Sequence, residues 1–572
     1  MKILSLYPWT HISSACLLVN GRIVAAAPEE RFNRIKLSTA FPIQSANWCL
    51  KSQNIQWEDL NYIVIPWNPA HHMFSASLRW VSSMRWRGEM LSHIPTWIFR
   101  AINENSKKNQ TKAPDDITVQ FGKTKLVFLN HHLCHAASAV FASPFKESDI
   151  LSIDGRGEVE TTFLGYSKKN KITQKLSIAY PHSVGLFYGS VTDFLGFKPD
   201  SDEWKVMALS SYSKKKNQYD KKFNKVVKIT KDSFELDLTY FQYYLFDAKP
   251  NFYSKKFIKL FGPPRTKESK ITKRHSEISG AMQRTFEKIV YHLLKITKKN
   301  GGKSGNIVLV GGAAMNCVFN GHLEKKKIYK NVYIPPWPDD AGVSVGGALY
   351  MYYKVSKKQA KQTHLRHSFY GPGYKKNEIE KLLLKYKVNF IKPTNLYDYV
   401  ANKISQKKLV GWFQGKMEFG QRALGHRSIL ADPRSKKTKD IVNFAVKYRE
   451  GFRPFAPSVL EEEAHKIFQM KKGLKIEYME KIAYVKKSWT SKIPAVTHVD
   501  KSARIQTVSN QINPEFYNLI KSFYQITKVP VLLNTSFNLN GEPIVCTVED
   551  AIKTFYSCGL DILVVENCVI EK

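Results

Sequence analysis

Cysteine is scarce. Seven residues, at 16, 49, 134, 317, 546, 558 and 568, are odd in number and widely spaced, and no C-x-x-C occurs. That argues against a disulfide framework or a zinc finger and fits a reducing, cytoplasmic setting. No apolar run approaches the ~18 residues of a membrane span, so none is expected. The opening Met1 to Pro8 is too short and too soon broken to read as a signal peptide. Acidic residues are also few: 48 Asp+Glu stand against 88 Lys+Arg, for a net charge of +40. Most of the excess is lysine in short clusters (Lys214 to Lys216, Lys325 to Lys327, Lys357-Lys358, Lys471-Lys472) between periodic segments, which reads as solvated faces rather than a nucleic-acid footprint. What is present is apolar material: 43% hydrophobic and 13% aromatic residues exclude a disordered chain, and 572 residues call for two large domains or more.

The most informative stretch is Asn130 to Ser138, N-H-H-L-C-H-A-A-S. It follows the apolar run Leu126 to Leu129, expected as a buried strand, and enters a helix of small residues through Phe141. His131 and His135 are four apart, so on a helix both imidazoles share one face. They can hold one divalent metal if a carboxylate arrives from elsewhere; the alternative is a hydrogen-bonded pair at a helix start.

Carboxylates are offered at two strand ends. Asp149 to Ile153 reads as a strand that runs into the acidic, Gly-rich turn Asp154-Gly155-Arg156-Gly157-Glu158. Farther on, Asp339-Asp340 precedes a small-residue helix, where Asp340 is either a ligand or an N-cap. Ile307 to Val310 reads as a buried parallel strand. It enters Gly311-Gly312-Ala313-Ala314-Met315-Asn316, where glycines allow a ligand close to the backbone and the next helix start favours an anion. The stretch is not G-x-G-x-x-G and has no Walker lysine, which disfavours a dinucleotide or P-loop fold. At the chain start, strands are expected at Lys2 to Leu6, Ala15 to Val19 and Ile23 to Ala27, with an Asn20-Gly21 hairpin turn. His11 lies in the first turn, beside Ser13-Ser14, as in the opening of actin-like ATPase folds. Lys205 sits in an apolar stretch, Trp204 to Leu209, either snorkelling or binding phosphate. Residues 67 to 100, rich in Trp and Met, read as an amphipathic helical insertion.

The polar, lysine-rich stretch Lys354 to Gln362 marks a domain edge, and a second α/β unit begins around residue 370. Within it, the strand Leu409 to Phe413 leads to Lys416, Arg422, Arg427, Lys447, Arg449 and Arg453, six cations within 38 residues beside glycines. Guanidinium forks bind phosphate through two donors at once, and glycine turns let them converge. Near the end, Pro530 to Leu533 is expected as a strand and Asn534 to Asn538 as a polar turn.

Together these stretches resemble the NodU/CmcH-type O-carbamoyltransferases. The matching motifs are E-E-R-F-N-R-I-K from Glu29, N-H-H-L-C-H-A-A-S-A, I-D-G-x-G-E from Ile153, W-K-V-M-A-L, G-G-A-A-M-N-C, D-A-G, M-E-F-G-Q-R-A-L-G-H-R-S-I-L from Met417, K-Y-R-E-G-F-R-P-F-A-P, H-V-D-K-S-A-R-I-Q-T-V from His498, and N-T-S-F-N. The resemblance implies an α/β chain with an actin-like (duplicated ribonuclease H-like) transfer domain over 1–360 and a YrdC-like domain over 370–572. It implies that carbamoyl phosphate and ATP give a carbamoyl-adenylate on the latter. The former then moves the carbamoyl group to an alcohol. It further implies a divalent metal, ferrous iron, held by His131, His135 and Asp340 with Asp154. His11, Asp154 and Lys205 are implied at the reacting groups, and Gly311, Gly312, Asn316, Arg422, Arg427, Lys447, Arg449, Asn534 and Ser536 around phosphate and nucleotide. In one respect the chain departs from the family pattern: Ile12 follows His11 where His-Asp is usual.

The acceptor alcohol is not legible in the residues. Segments 67–124 and 217–274, which match no motif, are expected to shape its pocket. Among rivals, hydrogenase-maturation carbamoylation would bring C-x-x-C motifs and an acylphosphatase-like segment, neither found here. A tRNA threonylcarbamoyl-type transferase would turn the positive charge to RNA. A phosphate-binding regulator without activity would carry broken motifs, and these are whole.

Overall fold

A computed structural model describes residues 1–8, 11–71, 116–213, 215–248, 250–356 and 365–572. The expected insertion over 67 to 100 lies almost wholly outside the described residues, as does most of the lysine-rich stretch 354 to 362. The chain divides into two compact units: 1–26, 39–315 and 326–365 form the first; 27–38, 316–325 and 366–572 form the second.

The first unit contains the same strand order twice. One sheet combines β1 (Lys2–Tyr7), β2 (Ser14–Val19), β3 (Arg22–Pro28), β4 (Tyr62–Ile65), β5 (Asp116–Phe121) and β6 (Thr124–Leu129) in the order β3-β2-β1-β4-β6-β5. The other combines β7 (Glu147–Ile153), β8 (Glu160–Lys168), β9 (Lys171–Ala179), β12 (Asn306–Val310) and β13 (Asn331–Tyr333) in the order β13-β12-β7-β8-β9. In each, the first strand pairs antiparallel with the second and parallel with the fourth. This repeat is the duplicated ribonuclease H-like plan of the actin-like fold. A small hairpin, β10 (Val227–Ile229) and β11 (Phe234–Leu236), stands apart from both sheets.

Two helices of small residues join the halves. Ala341–Val355 packs on β1, β2 and β4 and against His131–Val140, which packs on β7 and β12. The helices are close because Gly346 has no side chain: a Cβ there would stand 1.7 Å from the Cys134 carbonyl oxygen.

The second unit is a seven-stranded mixed sheet, β19-β16-β20-β15-β14-β21-β22. Its strands are β14 (Val410–Phe413), β15 (Arg427–Ala431), β16 (Ala456–Leu460), β19 (Gln506–Val508), β20 (Val531–Ser536), β21 (Ile562–Val565) and β22 (Cys568–Glu571). A two-stranded ribbon, β17 (Ile482–Tyr484) and β18 (Ser502–Arg504), lies beside it. One buried core includes Trp412, Phe413, Leu430, Phe523, Leu533 and Val564. Of the expected turn Asn534 to Asn538, the first three residues are instead the end of β20, because Ser428 to Leu430 of β15 extend the pairing through Ser536.

Two short pieces that lie before residue 366, namely 27–38 and 316–325, belong to this second unit. Arg34 donates to the carbonyls of Ile544 (2.8 Å) and Pro543 (2.9 Å), and Arg31 donates to that of Gly420 (3.1 Å). In the other piece, Asn320 donates to the Glu480 carbonyl at 2.8 Å and Glu324 pairs with Lys481 at 2.6 Å. No helix among the described residues is long and apolar enough to cross a membrane.

Candidate functional site

Two groups of side chains concentrate chemistry, one in each unit. In the first, His131 and His135 point from one helix face as their spacing predicts, and Asp154 and Asp340 meet them there. One ligand atom from each lies within 4.8 Å of all the others. Both imidazole Nε2 atoms stand 3.2 Å from Asp154 Oδ2. Asp340 Oδ1 is 3.8 Å from His131 Nε2 and 3.4 Å from His135 Nε2.

Local sequence explains each placement. Asn130 caps the helix by accepting from the Leu133 N–H at 2.8 Å. Asp154 immediately follows β7, and its Oδ1 accepts the Gly312 N–H at 3.1 Å. Gly311 permits this approach: at φ +86 a Cβ there would sit 2.2 Å from the Ile153 carbonyl oxygen. Asp340 occupies the N-cap position of its helix but makes no side-chain cap bond. Its Oδ2 accepts the Tyr7 hydroxyl at 2.9 Å, and its Oδ1 is left facing the histidines.

His132, between the two, is framework. Its Nδ1 lies 2.9 Å from Ser152 Oγ and its Nε2 3.1 Å from the Glu160 carbonyl, so both nitrogens are used.

The electrostatics are those of a cation site. Burial, then His135, lowers His131 to about 4. Burial also opposes charge on His135, but Asp154 and Asp340 outweigh it and raise it to about 9. Burial would raise Asp154 too, yet the two histidines hold it well below the usual carboxylate range. Burial and the Asp154 charge push Asp340 well above that range. Two imidazoles and two carboxylates converge with no lysine or arginine among them. That donor set fits a divalent transition metal, which would displace the protons now shared.

His11 stands half-buried in the β1–β2 turn beside buried Ile12, a β-branched residue at φ +62. Asp200 is raised above the usual carboxylate range by desolvation, against the lowering charges of His11 and Arg156. Lys205 pairs with Asp202 at 3.1 Å and lies over the rings of Phe197 and Trp204.

In the second unit the cations do not all play one part. Arg427, fully buried, donates to the carbonyls of Gln414 (2.7 Å), His426 (3.0 Å), Pro372 (3.0 Å) and Gly415 (3.2 Å), with its guanidinium 3.5 Å from the Phe413 ring centre. Lys447 donates to the carbonyls of Ser536 (2.6 Å) and Asn538 (2.8 Å) and to Asn538 Oδ1 (2.8 Å). Lys447 is expected at the phosphate and nucleotide pocket and Arg427 near it; in this structure their donors hold the backbone carbonyls of these turns. Asn534 is tied to Ser458, Gln506 and the Ala423 carbonyl. Ser536 Oγ donates to Asn538 Oδ1 at 2.6 Å.

Arg449 is different. Its Nε donates to Asn443 Oδ1 at 2.8 Å and its guanidinium lies 4.2 Å from the Phe455 ring centre, but its buried Nη2 has no partner among the described residues. The same holds for Arg504 Nε and Asn443 Nδ2. Burial, then Arg453 and Arg504, lowers Arg449 well below its ordinary value. Lys447 is lowered likewise by burial, Arg449, Arg453 and Lys36. Cys317, which follows Asn316 at the start of the helix Cys317–Lys326, feels the charges of Arg504 and Arg422. Asn316 Oδ1 caps that helix, accepting from the Phe319 N–H at 3.0 Å. Buried cations crowded this way with spare donors describe an anion site. Arg504 has no assigned role in the sequence reading, although it lies in the H-V-D-K-S-A-R-I-Q-T-V stretch; it ends β18, next to the strand Gln506–Val508. Tyr7 and Glu158 have no assigned role in the sequence reading; Tyr7 donates to Asp340 Oδ2, and Glu158 accepts the His131 backbone N–H.

Comparison with known proteins agrees with these two halves. Residues 2–349 match the family "Carbamoyltransferase N-terminus" and residues 401–572 match "Carbamoyltransferase C-terminus". An uncharacterised protein of Synechocystis is 37% identical over 100% of this chain and 96% of its own length. Nodulation protein NolNO of Sinorhizobium fredii is 33% identical over 98% of this chain and 79% of its own. Nodulation protein NolO of Bradyrhizobium diazoefficiens is 34% identical over 78% of this chain and 79% of its own.

Proposed function

This chain belongs to the carbamoyltransferase family, and we propose that it is an O-carbamoyltransferase that uses both groups of residues in turn. At the cationic group of the second unit, water displaces inorganic phosphate from carbamoyl phosphate; an oxygen of the resulting carbamate then bonds to the α-phosphorus of ATP and the bond from that phosphorus to pyrophosphate breaks, giving a carbamoyl-adenylate. The alcohol oxygen of a small molecule or sugar then bonds to the carbamoyl carbon at the metal-type group, and the bond from that carbon to the adenylate oxygen breaks. The observation that carries this reading is the pair of unlike sites in one chain: a two-histidine, two-carboxylate cluster and a buried arginine cluster with unpaired donors.

In the second unit, Arg449, Arg504 and Asn443 would donate to phosphate oxygens as charge builds on them. Arg427 and Lys447 hold the turns that carry the pocket. In the first unit, His131, His135, Asp154 and Asp340 would hold the divalent ion. When bound, it supplies Lewis-acid polarisation of a phosphate or carbonyl oxygen. His11 would accept the alcohol proton.

Anaerobic incubation with ferrous iron, ATP and carbamoyl phosphate tests the scheme, read by pyrophosphate release and by mass for the adenylate. Wild type and His131→Ala should both form the adenylate and Arg449→Ala should not. If wild type forms neither product, the reading fails. A salt-sensitive RNA shift would then favour tRNA modification.

A further inference from the structure

Glu158 ends the turn that begins at Asp154, and its buried carboxylate is spent on the start of the histidine helix. Oε1 accepts the backbone N–H of His131 at 3.0 Å and that of Asn68 at 2.7 Å. Oε2 accepts Asn130 Nδ2 at 3.2 Å and lies 3.3 Å from the His131 nitrogen. Glu158 is 1% exposed, and no lysine, arginine or histidine ring pairs with it among the described residues. A carboxylate buried without a cation is costly unless N–H donors converge on it, and here they come from two separate segments.

Glu158 therefore ties together the two ligand-bearing elements. His131 is the first residue of the helix, and its own N–H is held by the turn that starts with Asp154. The turn is also pressed onto the same helix start. A Cβ on Gly157 would come 3.0 Å from the His132 ring and 3.2 Å from that of His131, so the backbone lies almost against the imidazoles. The separation of 3.2 Å between His131 Nε2 and Asp154 Oδ2 is thus fixed from behind.

We propose that Glu158 is the positioning residue of the metal centre, fixing the helix start to the Asp154 turn at the spacing a divalent ion requires. The inference rests on the metal reading of the four-residue cluster. A group that orients ligands in this manner is typically worth 10- to 100-fold in metal affinity. Glutamine at this position keeps the size but turns one oxygen into a donor that faces N–H groups.

The test is Co2+ binding to chelator-treated full-length protein, measured by competition with a chromophoric chelator and by the Co2+ d–d absorption band. Glu158→Gln should bind about 10- to 100-fold more weakly, with a shifted band. Glu160→Gln, whose side chain faces Gln174 at 2.6 Å and Ser177 rather than the histidine helix, should match wild type in both. Adenylate formation should persist in Glu158→Gln, which shows that the second unit is intact. If Glu158→Gln fails to fold, Asn130→Ser keeps a capping oxygen and removes only the Nδ2 contact, with a several-fold loss expected. Wild-type affinity and spectrum in either folded variant would overturn the proposal. Failure of wild type itself to bind Co2+ would instead remove the metal reading, and the inference with it.

Discussion

The Tyr7 hydroxyl donates to Asp340 Oδ2 at 2.9 Å, joining the last residue of β1 to a carboxylate 333 positions later. The bond occupies one oxygen of Asp340 and leaves the other turned to the histidines. Tyr7→Phe removes the donor without opening a cavity. The carboxylate then gains a rotational freedom that metal binding must freeze. Divalent-metal affinity should fall about tenfold, measured by chelator competition, with the melting temperature of the metal-free protein nearly unchanged. Unaltered affinity would mean that packing alone orients Asp340.

Arg449 presents a buried, unpaired Nη2 beside the charge of Arg504. Lysine in its place keeps one positive charge but not the planar fork, and its shorter donor array cannot hold Asn443 Oδ1 and a phosphate together. Arg449→Lys should therefore lower the rate of pyrophosphate release by roughly 10- to 100-fold, nearly as far as Arg449→Ala. Recovery to near the wild-type rate would show that charge alone suffices there.

These two sites were not equally legible in the residues. His131, His135, Asp154 and Asp340 each stand at a strand end or helix start inside a short recognisable stretch, and a strand-turn-helix plan brings such ends to one edge of a sheet. The repeated strand order could be anticipated from the same stretches. The partners of those four could not. Tyr7 and Glu158 make their contacts between separate segments, and although Glu158 lies in the I-D-G-x-G-E stretch, nothing local shows that its carboxylate takes the His131 N–H. The cationic run from Lys416 to Arg453 was visible as a whole, but not its division into braces and spare donors. That division depends on which carbonyls lie within reach of each guanidinium. Arg427 faces four carbonyls because Gln414, Gly415 and Pro372 turn towards it; a count of cations does not contain this. Likewise Arg34 docks on Pro543 and Ile544, a partnership with no trace in its own charged segment.

Arg427 makes its own prediction. It is fully buried and its guanidinium satisfies carbonyls of the loop that enters the long glycine-rich motif. Burial lowers it to about 10, so it remains charged at neutral pH. Arg427→Ala would strand several buried carbonyls at ~1–3 kcal/mol each before relaxation. A loss of roughly 3 kcal/mol or more in urea unfolding is expected, with lost activity following from lost structure. A variant that is inactive yet as stable as wild type would return Arg427 to direct substrate contact.

Glu203 gives a pH signature. Burial, then the charge of Asp200, raises it to about 8, although its Oε1 accepts the Asp200 N–H at 2.8 Å. In the unfolded chain the same group titrates near 4.3. Between those values the folded state binds more protons than the unfolded state, so this group's contribution to stability falls as pH rises from about 4.3 to about 8. Glu203→Gln removes the titration and leaves an amide oxygen to accept the Asp200 N–H. The stability of wild type relative to Glu203→Gln should therefore decline between pH 5 and pH 8 and then level off, followed by urea unfolding at pH 5, 7 and 9. A difference that stayed constant across that range would show Glu203 ionised throughout, with Asp200 or a neighbouring cation adjusting in its place.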